Sequence, residues 1–130
     1  MNLVVLRIEG SSGYVDGIHQ VLGIDPTGSW RTGETSSRGG AYTTFGHTFD
    51  LADVESPVEM MEMVTGFLTH CVERSANFAA SDGFAELSIA FTVGTQEQFA
   101  ASVDLPVETL ATLGRLGISL SINSYPTTDD

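Results

Sequence analysis

The chain contains no lysine, and its only cationic side chains are five arginines set against 17 acidic residues, for a formal net charge of −12. Without lysine there is no phosphate-loop amine, no Schiff base and no pyridoxal anchor. Five arginines cannot build a patch that neutralises a phosphate backbone, so nucleic acid is excluded as an expected partner. Cysteine is nearly absent as well. Cys71 stands alone, which rules out an intramolecular disulfide and agrees with a reducing compartment. No apolar run approaches the roughly 18 residues of a membrane span. Leu3–Leu6 is apolar but stops at Arg7 and has no basic segment before it, so it does not read as a signal peptide. The expectation is a cytoplasmic protein with no membrane partner.

The residues present describe one globular domain: 130 residues, 42% hydrophobic and 17% charged, a size and composition that support a real core. The charge is uneven. Residues 1–38 hold four acids and three arginines, a net of −1, whereas residues 39–130 hold thirteen acids and two arginines, a net of −11. Codon bias in a GC-rich genome explains a lysine-free chain equally well, so charge bears here on solubility and partners, not on fold.

Periodicity gives the elements. Val4, Leu6 and Ile8 alternate in a strand over Asn2–Glu9, with Leu3 and Val5 adding apolar cover on the other face, as suits a central strand. After the loop Gly10–Gly13, with Ser12 as its cap, Val15, Ile18 and Leu22 make one face of a short helix that Gly23 stops. Asp25 to Gly40 is sixteen residues without an evident element, a length that points to a functional or mobile loop. Ala41–Phe49 reads as a strand with Phe45, His47 and Phe49 on one face, and Gly46 marks a bulge. Ser56-Pro57-Val58-Glu59 supplies a helix cap, a proline at the first helical position and a capping-box glutamate. The stripe Met60, Val64, Phe67, Cys71 then keeps helical period for about four turns.

Further along, Ala76–Gly83 is a loop and Glu86–Val93 a strand with Leu87, Ile89, Phe91 and Val93 on one face. Phe99–Leu105 is a short strand or irregular cover. Pro106–Arg115 is a helix with Val107, Leu110, Ala111 and Leu113 inward, and Ile118–Asn123 is a last strand ending near Tyr125-Pro126. The order is β-α-β-α-β-(β)-α-β. It predicts an α+β domain over residues 1–126, a mostly antiparallel four- or five-stranded sheet with helices on one face, followed by a disordered acidic tail over 127–130.

Leu6-Arg7-Ile8-Glu9-Gly10, then Val21-Leu22-Gly23-Ile24-Asp25-Pro26-Thr27, then Ser29-Trp30-Arg31-Thr32-Gly33-Glu34 resemble the N-terminal signature of a bacterial domain family of unknown function, number 4279. Leu113–Ile122 followed by Tyr125 is similar to its C-terminal signature. The resemblance spans about Leu6 to Tyr125. It implies a small α+β domain without an established activity, of a kind associated with immunity or interaction roles. The chain departs from the family at Thr32, where members often carry lysine, and over Tyr42 to Phe45, where they often carry a second tryptophan. The central loop is therefore less basic here.

Several groupings could carry chemistry. His70 and Cys71 are neighbours on a helix, pointing about 100° apart, and cannot form a nucleophile–base pair; Cys71 reads as core. His19, His47 and His70 fall in different elements without metal-ligand spacing, so neither a metal nor any other cofactor is expected. No catalytic motif occurs. The expectation is a non-enzymatic, protein-binding module, of immunity or inhibitor type, whose partner is basic. Two surfaces compete for that role. Asp50, Asp53, Glu55, Glu59 and Glu62 form an acidic run, either a solvated face or a docking surface for a basic protein. Trp30, Arg31 and Glu34 lie in the long loop, where Trp30 is either a lid folded over the sheet, with Arg31 paired to Glu34 or Asp25, or part of a grip on a small ligand or a partner. The second option makes the protein a ligand-binding or sensor domain. Monomer and homodimer are both open.

Overall fold

A computed structural model describes residues 1–94 and 102–126. The elements run β1 (Asn2–Gly10), α1 (Ser12–Leu22), β2 (Gly28–Trp30), β3 (Phe45–Val54), α2 (Pro57–Glu73), β4 (Gly83–Val93), α3 (Val107–Leu116) and β5 (Ser119–Pro126). The strands form one mixed sheet in the order β2-β3-β1-β4-β5. All neighbours are antiparallel except β4 and β5. The parallel pair requires a crossover, and α3 provides it. The α+β class and the mostly antiparallel sheet with helices packed against it match the sequence pattern.

β1 is the central strand, as the apolar residues on both of its faces predict. Val4, Leu6 and Ile8 are wholly buried, and they meet Leu87 and Ile89 of β4 and Phe49 and Ala52 of β3 in one layer. The helices close that layer from one side only. α2 lays Met60, Val64, Phe67, Leu68 and Cys71 into the core, and α1 adds Tyr14, Val15, Ile18 and Leu22. The α2 cap forms as its sequence predicts, Ser56 Oγ accepting from the Glu59 N–H at 3.3 Å. On α1 the cap is Ser11 rather than Ser12: its Oγ accepts from the Tyr14 N–H at 3.1 Å and donates to Asp82 at 2.6 Å.

Five other expectations are corrected. The segment from Asp25 to Gly40 is not bare, since it holds β2 and a hydrogen-bonded hairpin described below; three residues are too few to show a period. β3 runs Phe45–Val54 instead of Ala41–Phe49. Its register shifts opposite Val4 and Val5, where Ala52 and Asp50 are the partners and Leu51 is the extra residue. The bulge sits there, not at Gly46, and it hides the alternation of the strand's second half. β4 begins at Gly83. On α3, Leu113 and Leu116 are buried, but Val107, Leu110 and Ala111 face outward. In the suggested strand Phe99–Leu105, residues 102–105 have no regular structure; 99–101, like the tail 127–130, lie outside the described residues.

Tyr14 joins α1 to the far side of the core. Its buried hydroxyl donates to the Phe78 carbonyl at 2.8 Å, and burial, with a smaller effect from Asp82, pushes its pKa up to about 12 from 10.0. The fold thus favours the neutral phenol. The stabilisation is complete below pH 10, where the unfolded phenol titrates, and is lost as pH rises toward 12. Tyr14→Phe is expected to lower stability by about 1–2 kcal/mol at neutral pH and to remove its share of the alkaline decline, as read from urea midpoints across that range.

Candidate functional site

Covering the sheet from one side leaves its other face without helices among the described residues. In pairing order that face carries Trp30 of β2, Gly46, Thr48, Asp50 and Asp53 of β3, Leu3, Val5, Arg7 and Glu9 of β1, and Phe84, Glu86 and Ser88 of β4. Leu3, Val5 and Ser88 are only partly buried there, and Phe84 is exposed.

Trp30 is built into this face by a glycine. Gly46 is its cross-strand partner, and a Cβ on Gly46 would stand 2.0 Å from the indole ring, so only glycine lets the ring lie against the sheet. Tyr42 stacks on the indole at 5.2 Å between centroids and 23° between planes. The Arg7 guanidinium sits 4.6 Å from the ring centroid, a cation–π contact, and also pairs with Glu9 at 3.1 Å. Trp30 is consequently 8% exposed. The lid reading holds for Trp30, but among the described residues Arg31 has no ion pair, and Arg31 and Glu34 both stand exposed.

The residues after Trp30 form a hairpin. Gly33 N–H donates to Tyr42 O and Tyr42 N–H to Glu34 O, at 2.9 and 2.8 Å, Thr35 bridges Ala41, and Ser36 N–H donates to Gly40 O. The hairpin leans over the helix-free face, because Arg7 and Glu9 of β1 and Ser36, Arg38 and Tyr42 of the hairpin line one polar cavity of about 430 Å³. Two of the five arginines meet in it.

The acidic run does not form a single face. Asp50 and Asp53 sit opposite Val5 and Leu3 on the helix-free side, both exposed. Glu59 and Glu62 stand on exposed positions of α2, in the layer on the other side of the sheet, and Glu55 lies in the turn between. The structure therefore groups Asp50 and Asp53 with Trp30 and separates them from Glu59 and Glu62. Sequence proximity could not reveal this, since a bulge and a turn intervene.

A second grouping is tertiary and has no local signal. On the helix side, His47 lies 5.0 Å from the ring of His19 on α1, accepts from or donates to Ser29 Oγ through Nδ1 at 2.8 Å, and leaves Nε2 buried without a hydrogen-bond partner. Among the described residues no group of three or more His, Cys, Asp or Glu side chains is placed to hold a metal. His70 instead meets the Leu22 carbonyl through Nε2 at 2.8 Å, at the end of α1. Burial pushes the Cys71 thiol up to about 12, which keeps it protonated and inert in the core.

Two outcomes follow. Gly46→Ala is expected to displace Trp30 from the sheet, red-shifting its fluorescence emission and costing about 1–3 kcal/mol. The His47 imidazole, its pKa lowered by burial first and then by His19, stays neutral in the fold below the pH at which the unfolded side chain takes up a proton. Its contribution is present above about pH 6.5 and falls as pH drops through that value. NMR titration should place His47 below the ordinary histidine range, and His47→Gln should remove its part of the acid sensitivity.

Residues 1–127 match the family described as Domain of unknown function (DUF4279). No curated protein and no solved structure matches the chain. The match covers nearly the whole chain, and the protein belongs to the DUF4279 family.

Proposed function

We propose that the chain is a non-enzymatic, protein-binding module that engages a basic partner through the helix-free face of its sheet, in the manner of an immunity or inhibitor protein. The observation that carries this reading is the placement of Asp50 and Asp53 on the same face as the Trp30–Tyr42 stack and its hairpin. A hot-spot arrangement needs rigid aromatic anchors with a polar, charged surround. Here Tyr42 and Phe84 supply the aromatic surface, and Asp50, Asp53 and Glu86 supply negative charge with Arg7 as the one opposing cation on the strands. A net charge of −12 adds long-range steering of a basic protein.

A second reading rests on the cavity between β1 and the hairpin. Its lining joins Arg38 and several hydroxyls to the Arg7–Glu9 ion pair, and Arg38 with the hydroxyls suits a small anion such as a carboxylate or phosphate compound. Quenching of Trp30 fluorescence by anionic metabolites, abolished by Arg38→Ala, supports that reading.

The two acids distinguish the surfaces. Asp50→Lys with Asp53→Lys is expected to slow association with a partner captured from the native cell by roughly tenfold or more and to flatten its salt dependence. The same reversal at Glu59 and Glu62 should do markedly less. Equal effects from the two pairs, or binding indifferent to salt, would overturn the proposed face.

A further inference from the structure

The two edges of the sheet are protected very differently. At the β3 edge, β2 pairs with Gly46–Thr48, Thr27 Oγ1 accepts from the Asp50 N–H, the Leu51 bulge follows, and Asp50 and Asp53 place charge beside the strand. These are the devices by which sheets avoid unwanted edge pairing. At the other edge β5 has none of them. The strand carries no charge and no register shift against β4, its one proline being Pro126 at the very end, and among the described residues no strand pairs with its outer side.

α3 continues this bare edge. Thr109 and Thr112 share cavities with α2 side chains, while Leu113 and Leu116 enter the core. At 100° per residue, Val107, Leu110 and Gly114 then project away from α2, out past β5, to which α3 is packed. Val107 is 78% and Leu110 49% exposed, and on β5 Ile122 is 45% exposed. Ile122 aligns with the core residue Ile89, so it lies on the helix side of the sheet with that stripe. Strand edge and helix flank form one uncharged patch with apolar side chains open to water.

We propose that this patch binds a second copy of the chain, β5 pairing antiparallel with β5 across a twofold axis to make a continuous ten-stranded sheet, with the α3 flanks packing over the join. The occupant follows from charge. A basic partner finds no carboxylate here to pair with. Two copies of a −12 chain repel everywhere else, but at this patch contact desolvates no charge. Antiparallel pairing about a twofold is self-complementary by symmetry, and it gives every outward N–H and C=O of β5 a partner. Ile122 then packs across the axis against the same residue of the second copy.

Because the copies repel at long range, salt should strengthen the dimer, the opposite of its effect on binding a basic partner. Sedimentation equilibrium of the protein alone is expected to give twice the chain mass, with tighter association at higher salt. Ile122→Lys and, separately, Leu110→Glu should each weaken dimerisation by roughly tenfold or more, with unchanged circular dichroism and Trp30 emission. Should Ile122→Lys fail to fold, the half-exposed Leu110 carries the test. A protein that stays monomeric at all concentrations and salts overturns the proposal. So does a dimer that salt weakens, or one untouched by folded Leu110→Glu. The readout needs no partner, so its failure leaves the proposed binding face standing, and the reverse also holds.

Discussion

β1 is the constraint on which both sides of the molecule depend. Each of its nine residues is paired with β4, and β3 runs along its other side with one bulge. Its inward residues Val4, Leu6 and Ile8 are fully buried and join α1 and α2 into one core. Its outward residues Leu3, Val5, Arg7 and Glu9 are the floor of the helix-free face. A slip of one residue would exchange these two sets and turn the core outward. The side chains of Asn2, which donates to the Val54 and Glu55 carbonyls at 3.2 and 2.7 Å, help hold that register at the strand's start.

From this strand the site is assembled by subtraction as much as by contact. Three helices suffice to cover one face of a five-stranded sheet, and no described helix covers the other. The long segment after β2 folds back as a hairpin onto that face, and Gly46 gives the indole of Trp30 room to lie flat. The aromatic stack, the Arg7 contact and the polar cavity are all consequences of that placement. The bulge at Leu51 has its own consequence: by adding a residue, it sets both Asp50 and Asp53 outward, on the same side as Trp30.

Much of this was legible in the sequence where the signal is local. The α2 cap, its proline and its four-turn stripe lie within one segment and depend little on the rest of the chain. The alternation of β1 and β4 likewise announced an inner and an outer face. What was hidden is tertiary. β2 is too short to show a period, the bulge breaks the alternation of β3, and no spacing rule brings His19 to His47. The outward side of α3 is hidden for a related reason: an apolar stripe shows that a helix has a face to bury, but a helix at the sheet's edge is offered cover on one side only. In sequence the candidate site is split into two surfaces for the same reason. Trp30 and Asp50 are twenty positions apart, and only the β2–β3–β1 pairing places them together.

The claim that recognition occurs on the helix-free face is tested most directly by oxidative footprinting of the chain, free and bound to a partner captured from its native cell. Tyr42 and Phe84 report on that face, and Val58 and Met63, exposed on α2, report on the helical side. The account predicts that the partner shields Tyr42 and Phe84 while Val58 and Met63 oxidise as before. Protection of Val58 and Met63, with Tyr42 and Phe84 unchanged, would contradict it.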